Sequence, residues 1–442
     1  MIPRRPPVHP APPWRFPQPS SLALDCGLTL DRYHLPGQRV IIATLMADAP
    51  LTAEPADLEG VAALAMQASD EGTLRHPGTA LTEALESCGA TVIGAGAGIN
   101  GATLTVEVPG SRLQDAMPLI AELVREPAYA NDDVARLVED RLLAIATGEC
   151  SPPVVASKAF YSALGAHRLA RPMGGDATTV ANITPAALHA WHDAAIRPER
   201  SRLILAGDLP EDAATWADAA FRGWLVDAPA LPDAVPPPEA PGRRVLLANR
   251  DVAQVSVRLG TLAPTRHHAD WPALQVANAA LGSMFGSRLN TVLREERGLT
   301  YGAGSGLGPN RDDAVYLAYA ETDPDSACEA IQLALQLLDV AASPITGPEA
   351  RDAKNYITGA TPLRLDTATA IAAQATDFAL GGVPPDWFDA YMARVRNVTA
   401  DDATAAFARH IAPDNLVVAV CGDAAALAPQ LEAIGLQPEI RP

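Results

Sequence analysis

Aromatic residues make up only 5% of this 442-residue chain, although 48% of it is hydrophobic. Its cores must therefore be aliphatic and rich in alanine. Cationic charge is also short: 33 Lys and Arg stand against 52 Asp and Glu, a formal net charge of -19. That deficit argues against nucleic acid, or an anionic membrane, held through bulk electrostatics. It is compatible with basic peptides as ligands. No apolar run approaches the ~18 residues of a membrane span, so no membrane partner is expected. Cysteine is sparse. Cys26, Cys88, Cys150, Cys328 and Cys421 are scattered, odd in number and form no C-x-x-C. This excludes a zinc knuckle or a disulfide framework and points to buried thiols in a reducing compartment. Residues 1–20 are proline-rich and lack the apolar centre of a signal peptide. They read as a disordered or surface-draped leader, and the expected location is cytoplasmic, with periplasmic as the alternative.

The length suggests about two to three domains. A run of prolines from Asp227 to Gly242 cannot sit in a helix interior or a central strand. It reads as a semi-rigid linker between residues 21–226 and 243–442. The two halves resemble each other. Asn182-Ile-Thr opens a helical stretch followed by Pro198, the apolar strand Leu203-Ile-Leu-Ala and Gly207-Asp208. Asn397-Val-Thr opens another, followed by Pro413, Leu416-Val-Val-Ala-Val and Gly422-Asp423. The constant offset marks a tandem duplication. In each half alternating strands lead into two helices, then two strands, then longer helices. The expected fold is α+β: two tandem homologous domains, each a mostly antiparallel sheet with helices packed on one face.

Several motifs fail on context. Gly96-Ala-Gly-Ile-Asn-Gly101 matches G-x-G-x-x-G, but a dinucleotide site requires a helix next. Here the alternating Ala102-Thr-Leu-Thr-Val follows, so the glycines read as a hairpin. His189, His192 and Asp193 share a helix face at metal-ligand spacing, and the simpler reading is a solvated face. His267, His268 and Asp270 read as a surface turn. There is no G-x-S-x-G, P-loop or H-E-x-x-H.

One segment does point to chemistry. Ser287-Arg-Leu-Asn-Thr-Val-Leu-Arg-Glu-Glu-Arg-Gly-Leu-Thr-Tyr301 places Arg294 near the end of an amphipathic helix and Tyr301 just past a Gly-Leu turn. Two strong donors at a helix-to-strand junction can grip a peptide carbonyl, or the oxyanion formed when that carbonyl is attacked.

This segment resembles the C-terminal arginine–tyrosine segment of the pitrilysin and mitochondrial-processing-peptidase family of inverted-motif zinc peptidases. Gly60-Val-Ala-Ala-Leu-Ala-Met-Gln-Ala-Ser-Asp-Glu-Gly72-Thr73 resembles the family's zinc-motif frame, and the stretch from His167 resembles a further family segment. The resemblance implies a metallopeptidase clamshell half. The family's H-x-x-E-H, however, falls on Ala63, Met66 and Gln67, with Glu139 roughly at the third ligand. Ala offers no donor, Met no general base, and a Gln amide is a poor zinc ligand. This chain is therefore expected to hold no metal. The resemblance implies instead the zinc-less subunit of a bacterial two-subunit member, in which Arg294 and Tyr301 would serve a zinc-bearing partner and its peptide substrates. The alternatives are an inert scaffold in a larger assembly and a peptide-binding homodimer.

Overall fold

The computed structural model describes residues 14–165, 167–227, 229, 231 and 242–442. Residues 1–13 of the leader and most of the proline-rich linker lie outside them. The described part of the leader is packed rather than draped. Phe16 is 1% exposed and sits edge-on to Tyr33 and Phe378.

Two six-stranded sheets organise the chain. The first contains β1 (Ser20–Ala23), β2 (Thr29–His34), β3 (Val40–Ala47), β4 (Thr91–Gly98), β5 (Gly101–Pro109) and β6 (Ser201–Gly207), in the order β1-β2-β6-β3-β5-β4. The second contains β7 (Arg244–Asn249), β8 (Val255–Ala263), β9 (Thr300–Pro309), β10 (Ala314–Thr322), β11 (Val417–Gly422) and β12 (Glu439–Arg441), in the order β12-β7-β11-β8-β10-β9. Among the described residues only the pairs β2–β6, β7–β11 and β7–β12 are parallel. The duplication is visible in the elements. Thr29 and Arg244, Val40 and Val255, and Pro185 and Ala400 open corresponding elements, each pair 215 residues apart. The glycine motif forms the β4–β5 hairpin, with Asn100 in its turn.

Because strand side chains alternate, each sheet presents two apolar faces. Leu203, Leu205, Ile41 and Leu45 face helices of the first half, whereas Ile204, Ala206 and Ile42 belong to a core shared with the second half. In the second sheet Val418, Val420 and Tyr316 face that half's own helices, and Leu246, Val417 and Ala419 pack with Phe160 and Leu164 of the first half. The halves thus exchange a helix. Pro152–Ser162 of the first half lies on β7, β8 and β11, and Ala368–Leu380 of the second lies on β3 and β6. Gly260 makes room for this exchange: a Cβ there would come within 2.9 Å of the Phe160 ring and 2.1 Å of the Tyr316 carbonyl oxygen. At the hairpin tips Arg311 closes the seam. Its Nη1 donates to Asp48 Oδ1 at 2.9 Å, its Nε to the Leu380 carbonyl at 3.0 Å, and its backbone N–H to Asn100 Oδ1 at 3.0 Å.

Candidate functional site

The segment before β9 is not the continuous α-helix that amphipathic spacing suggests. One short helical turn, Arg288–Asn290, runs into a π-helical turn, Thr291–Glu296, and a second π-helical turn, Ala279–Ser283, precedes it. Wide turns of this kind concentrate at functional sites. The segment is fastened from behind. Arg288 grips Glu349 through Nε at 2.6 Å and Nη2 at 2.8 Å, and also donates to the Ser343 and Pro344 carbonyls. Gly298, at φ 63°, turns the chain into β9 in a conformation that glycine adopts without strain.

Arg294 is exposed and, among the described residues, meets no carboxylate despite the adjacent Glu295 and Glu296. Its guanidinium instead lies 5.3 Å from the centroid of the Phe285 ring, itself 70% exposed. Tyr301 is 89% exposed, and no described residue takes its hydroxyl. A helix-neighbour ion pair for Arg294 and a core position for Tyr301 are the two structural roles that would have disarmed these residues, and neither occurs. Phe285 was not singled out in the sequence; only its place just before Ser287 could have marked it.

The segment that resembles the zinc-motif frame forms the helix Val61–Gln67. Ala63 is half-buried and Gln67 exposed on one side, while Met66, 3% exposed, is buried against Leu45, Leu104, Leu123 and Val124. Glu139 is exposed on the helix Asn131–Gly148 and forms no ion pair among the described residues. One amide and one carboxylate on a separate helix make a donor set that does not fit a zinc ion, which takes three or four imidazole, thiolate or carboxylate ligands.

The frame itself is firmly built. Glu54 Oε1 accepts the N–H groups of Gly60 and Ala62, each at 3.1 Å, and so caps the helix. Its Oε2 takes the buried Arg168 guanidinium at 2.8 Å. Burial pushes the Glu54 carboxyl up, against the pull of Arg168 and the two amides. Arg168 also donates to the Arg171, Pro172 and Met173 carbonyls, and Arg171 pairs with Glu59 at 2.7 Å. Gly60, at φ 99°, is required here, since a Cβ would lie 2.7 Å from the Gly174 oxygen. Sequence reading missed this network, whose partners lie over a hundred residues apart.

The remaining clusters are structural. His192 is buried, with Nε2 at 2.9 Å from the Val124 carbonyl, so the expected solvated face holds for His189 and Asp193 but not for His192. His268, Asp270 and His410 gather their ligand atoms within 4.8 Å. Yet Asp270 Oδ2 already meets His410 at 2.8 Å and Arg409 at 2.5 Å, and the Asp270 N–H donates to His268 Nδ1. All five cysteines are free; Cys88, Cys328 and Cys421 are buried as expected, but Cys26 is only half-buried and Cys150 is exposed just past a helix end. Among the described residues no helix is long and apolar enough to cross a membrane. A cleft of about 710 Å³ opens between the halves, lined by Ile145, Val154, Tyr161 and Met173 on one side and Val315 and Leu317 on the other.

The fold is a two-domain clamshell half built on two six-stranded sheets. Residues 182–356 match the family described as the peptidase M16 inactive domain, in keeping with the resemblance to the pitrilysin peptidases. A protein described as an uncharacterized zinc protease of Mycobacterium tuberculosis (strain H37Rv) is 29% identical over 322 residues, covering 71% of this chain and 73% of that protein. The solved peptidase M16 inactive domain from Pseudomonas fluorescens superimposes with a TM-score of 0.85 at 24% identity, over 92% of this chain and 98% of that one. A protease from Helicobacter pylori superimposes with a TM-score of 0.84 at 17% identity, over 92% of this chain and all (100%) of that one.

Proposed function

We propose that this chain is the zinc-less subunit of a two-subunit zinc metallopeptidase. It would form half of the peptide chamber and present Arg294 and Tyr301 to the zinc site of a partner from the same family. The observation that carries the reading is the pairing of two exposed, uncommitted donors with a zinc frame that has no ligands. In such a complex the partner's zinc supplies the activated water. As that water attacks, charge develops on the scissile carbonyl oxygen. A phenol O–H and a guanidinium placed there stabilise the transition state more than the ground state. Arg suits the task because it stays charged and carries a rigid donor fork. The edge strands β4 and β9 each leave one backbone row unpaired, which an extended peptide can complete.

The test is to capture the complex from its native cell, measure its zinc content and assay cleavage of casein. The reading expects a two-chain complex with zinc on the partner, and no cleavage by this chain alone. Arg294→Ala and Tyr301→Phe should each lower turnover by roughly 10²–10³. Stoichiometric zinc and peptidase activity in the isolated chain would overturn it. A large non-proteolytic assembly would favour a scaffold, and peptide affinity without cleavage a homodimeric binding module.

A further inference from the structure

Tyr301 faces outward because the ladder between β9 and β10 is irregular. From Pro309 to Ala303 the strands pair one to one, so that Gly304, Gly306 and Gly308 share the cleft side with Tyr319, Leu317 and Val315. The register then shifts, and Thr300 stands opposite Thr322. Tyr301 and Gly302 together oppose the single residue Glu321, which makes a β-bulge. Without it, alternation from Ala303 would turn Tyr301 onto the helix-covered side. With it, Thr300 takes the inward position, 9% exposed, and Tyr301 is left in the open. Bulges commonly re-aim side chains in this way beside functional sites.

A bulge leaves backbone groups out of the ladder, and one side chain serves them here. Thr300 Oγ1 lies 2.6 Å from the Glu321 carbonyl oxygen and 2.8 Å from that of Gly302, and it accepts the Gly302 N–H at 3.1 Å. We infer that Thr300 is the positioning residue for Tyr301: its hydroxyl holds the bulge that carries the phenol to the scissile carbonyl. This rests on the role proposed above for Tyr301.

Thr300→Val keeps the shape and removes the hydroxyl, whereas Thr300→Ser keeps the hydroxyl. In the isolated chain, hydrogen exchange at the Gly302 amide should quicken about tenfold or more in the valine variant and stay near wild type in the serine variant. Unchanged exchange in the valine variant would overturn the inference. In the captured complex, with casein as substrate, Thr300→Val should lower kcat by roughly tenfold or more with little change in KM. Thr300→Ser should restore it, and Thr300→Val/Tyr301→Phe should be no slower than Tyr301→Phe alone. A slow Tyr301→Phe beside a wild-type Thr300→Val, or losses that multiply in the double variant, would overturn the positioning role and leave the proposed function standing. A wild-type rate for Tyr301→Phe would remove that function and this role with it.

Discussion

Arg294 and Tyr301, the two donors proposed to serve catalysis, lie on a segment fastened by other residues, among them Arg288 and Thr300. Behind Arg294, Glu349 receives Arg288 and also closes the capping box of the helix Gly347–Arg364, where it accepts the Thr346 N–H and hydroxyl at 2.7 Å each. Burial alone would raise the Glu349 carboxyl. The Arg288 and Thr346 hydrogen bonds outweigh it and hold the group down to about 2, against an ordinary value of 4.5. A carboxyl depressed on folding contributes stability that is fully present above its unfolded pKa and disappears as pH falls through the folded one. The contribution is therefore expected to fade between about pH 4.5 and pH 2. Glu349→Gln should lower the melting temperature near neutral pH and bring the two proteins together at the acid end of that window. A constant difference down to pH 2 would mean that the carboxylate charge contributes nothing. The sequence revealed Arg294 and Tyr301 through a run of local residues. It could not reveal Glu349, because the Arg288 contact joins positions 61 residues apart.

Among the elements, the exchanged helices matter most. Phe160, fully buried at 0% exposure, inserts its ring over Gly260 and beneath the sheet of the other half. Phe160→Ala should cost about 3–5 kcal/mol, as large-to-small changes in a core do. Gly260→Ala should also destabilise, because its Cβ has no space between the Tyr316 carbonyl and the Phe160 ring. Chemical denaturation of each variant would measure both; an unchanged midpoint for Gly260→Ala would show that the helix can withdraw freely. The strands themselves were legible as elements, since alternation of apolar residues shows directly in β5 and β10. Sequence placed each sheet's helices on one face. It did not disclose that the opposite face would be covered from the other half, because both faces of β6 and β11 are equally apolar and nothing local says which partner meets which side. The π-helical turns were hidden for a related reason: apolar spacing near 3.6 residues reports helicity and says little about one wide turn.

For the whole molecule, the exchange makes each half depend on the other. Separating residues 243–442 from the rest would bare the Leu246, Val417 and Ala419 face in one piece, and the Ile204, Ala206 and Ile42 face in the other. The intact chain should accordingly unfold in a single transition by circular dichroism, and the isolated second half should aggregate. Two well-separated transitions would contradict this coupling. Arg311 adds a polar clasp at the hairpin tips. Arg311→Ala is expected to leave the fold intact but to quicken hydrogen exchange in the β4–β5 and β9–β10 hairpins, because Asp48 loses the Arg311 guanidinium of the other half while the backbone bond to Asn100 remains.

Sequence by itself determined the duplication, the strand-and-helix order, the residue types Ala63, Met66 and Gln67, which make no zinc-ligand set, and the local placing of Arg294 and Tyr301. Each is written in residue type and local spacing. Only the tertiary structure decided which face of each sheet receives the other half's helix, which carboxylates fasten Arg168 and Arg288, and which way Tyr301 points. Those outcomes depend on contacts between distant positions and on a one-residue shift in strand register, and a shift of one residue turns a side chain from one face of a sheet to the other.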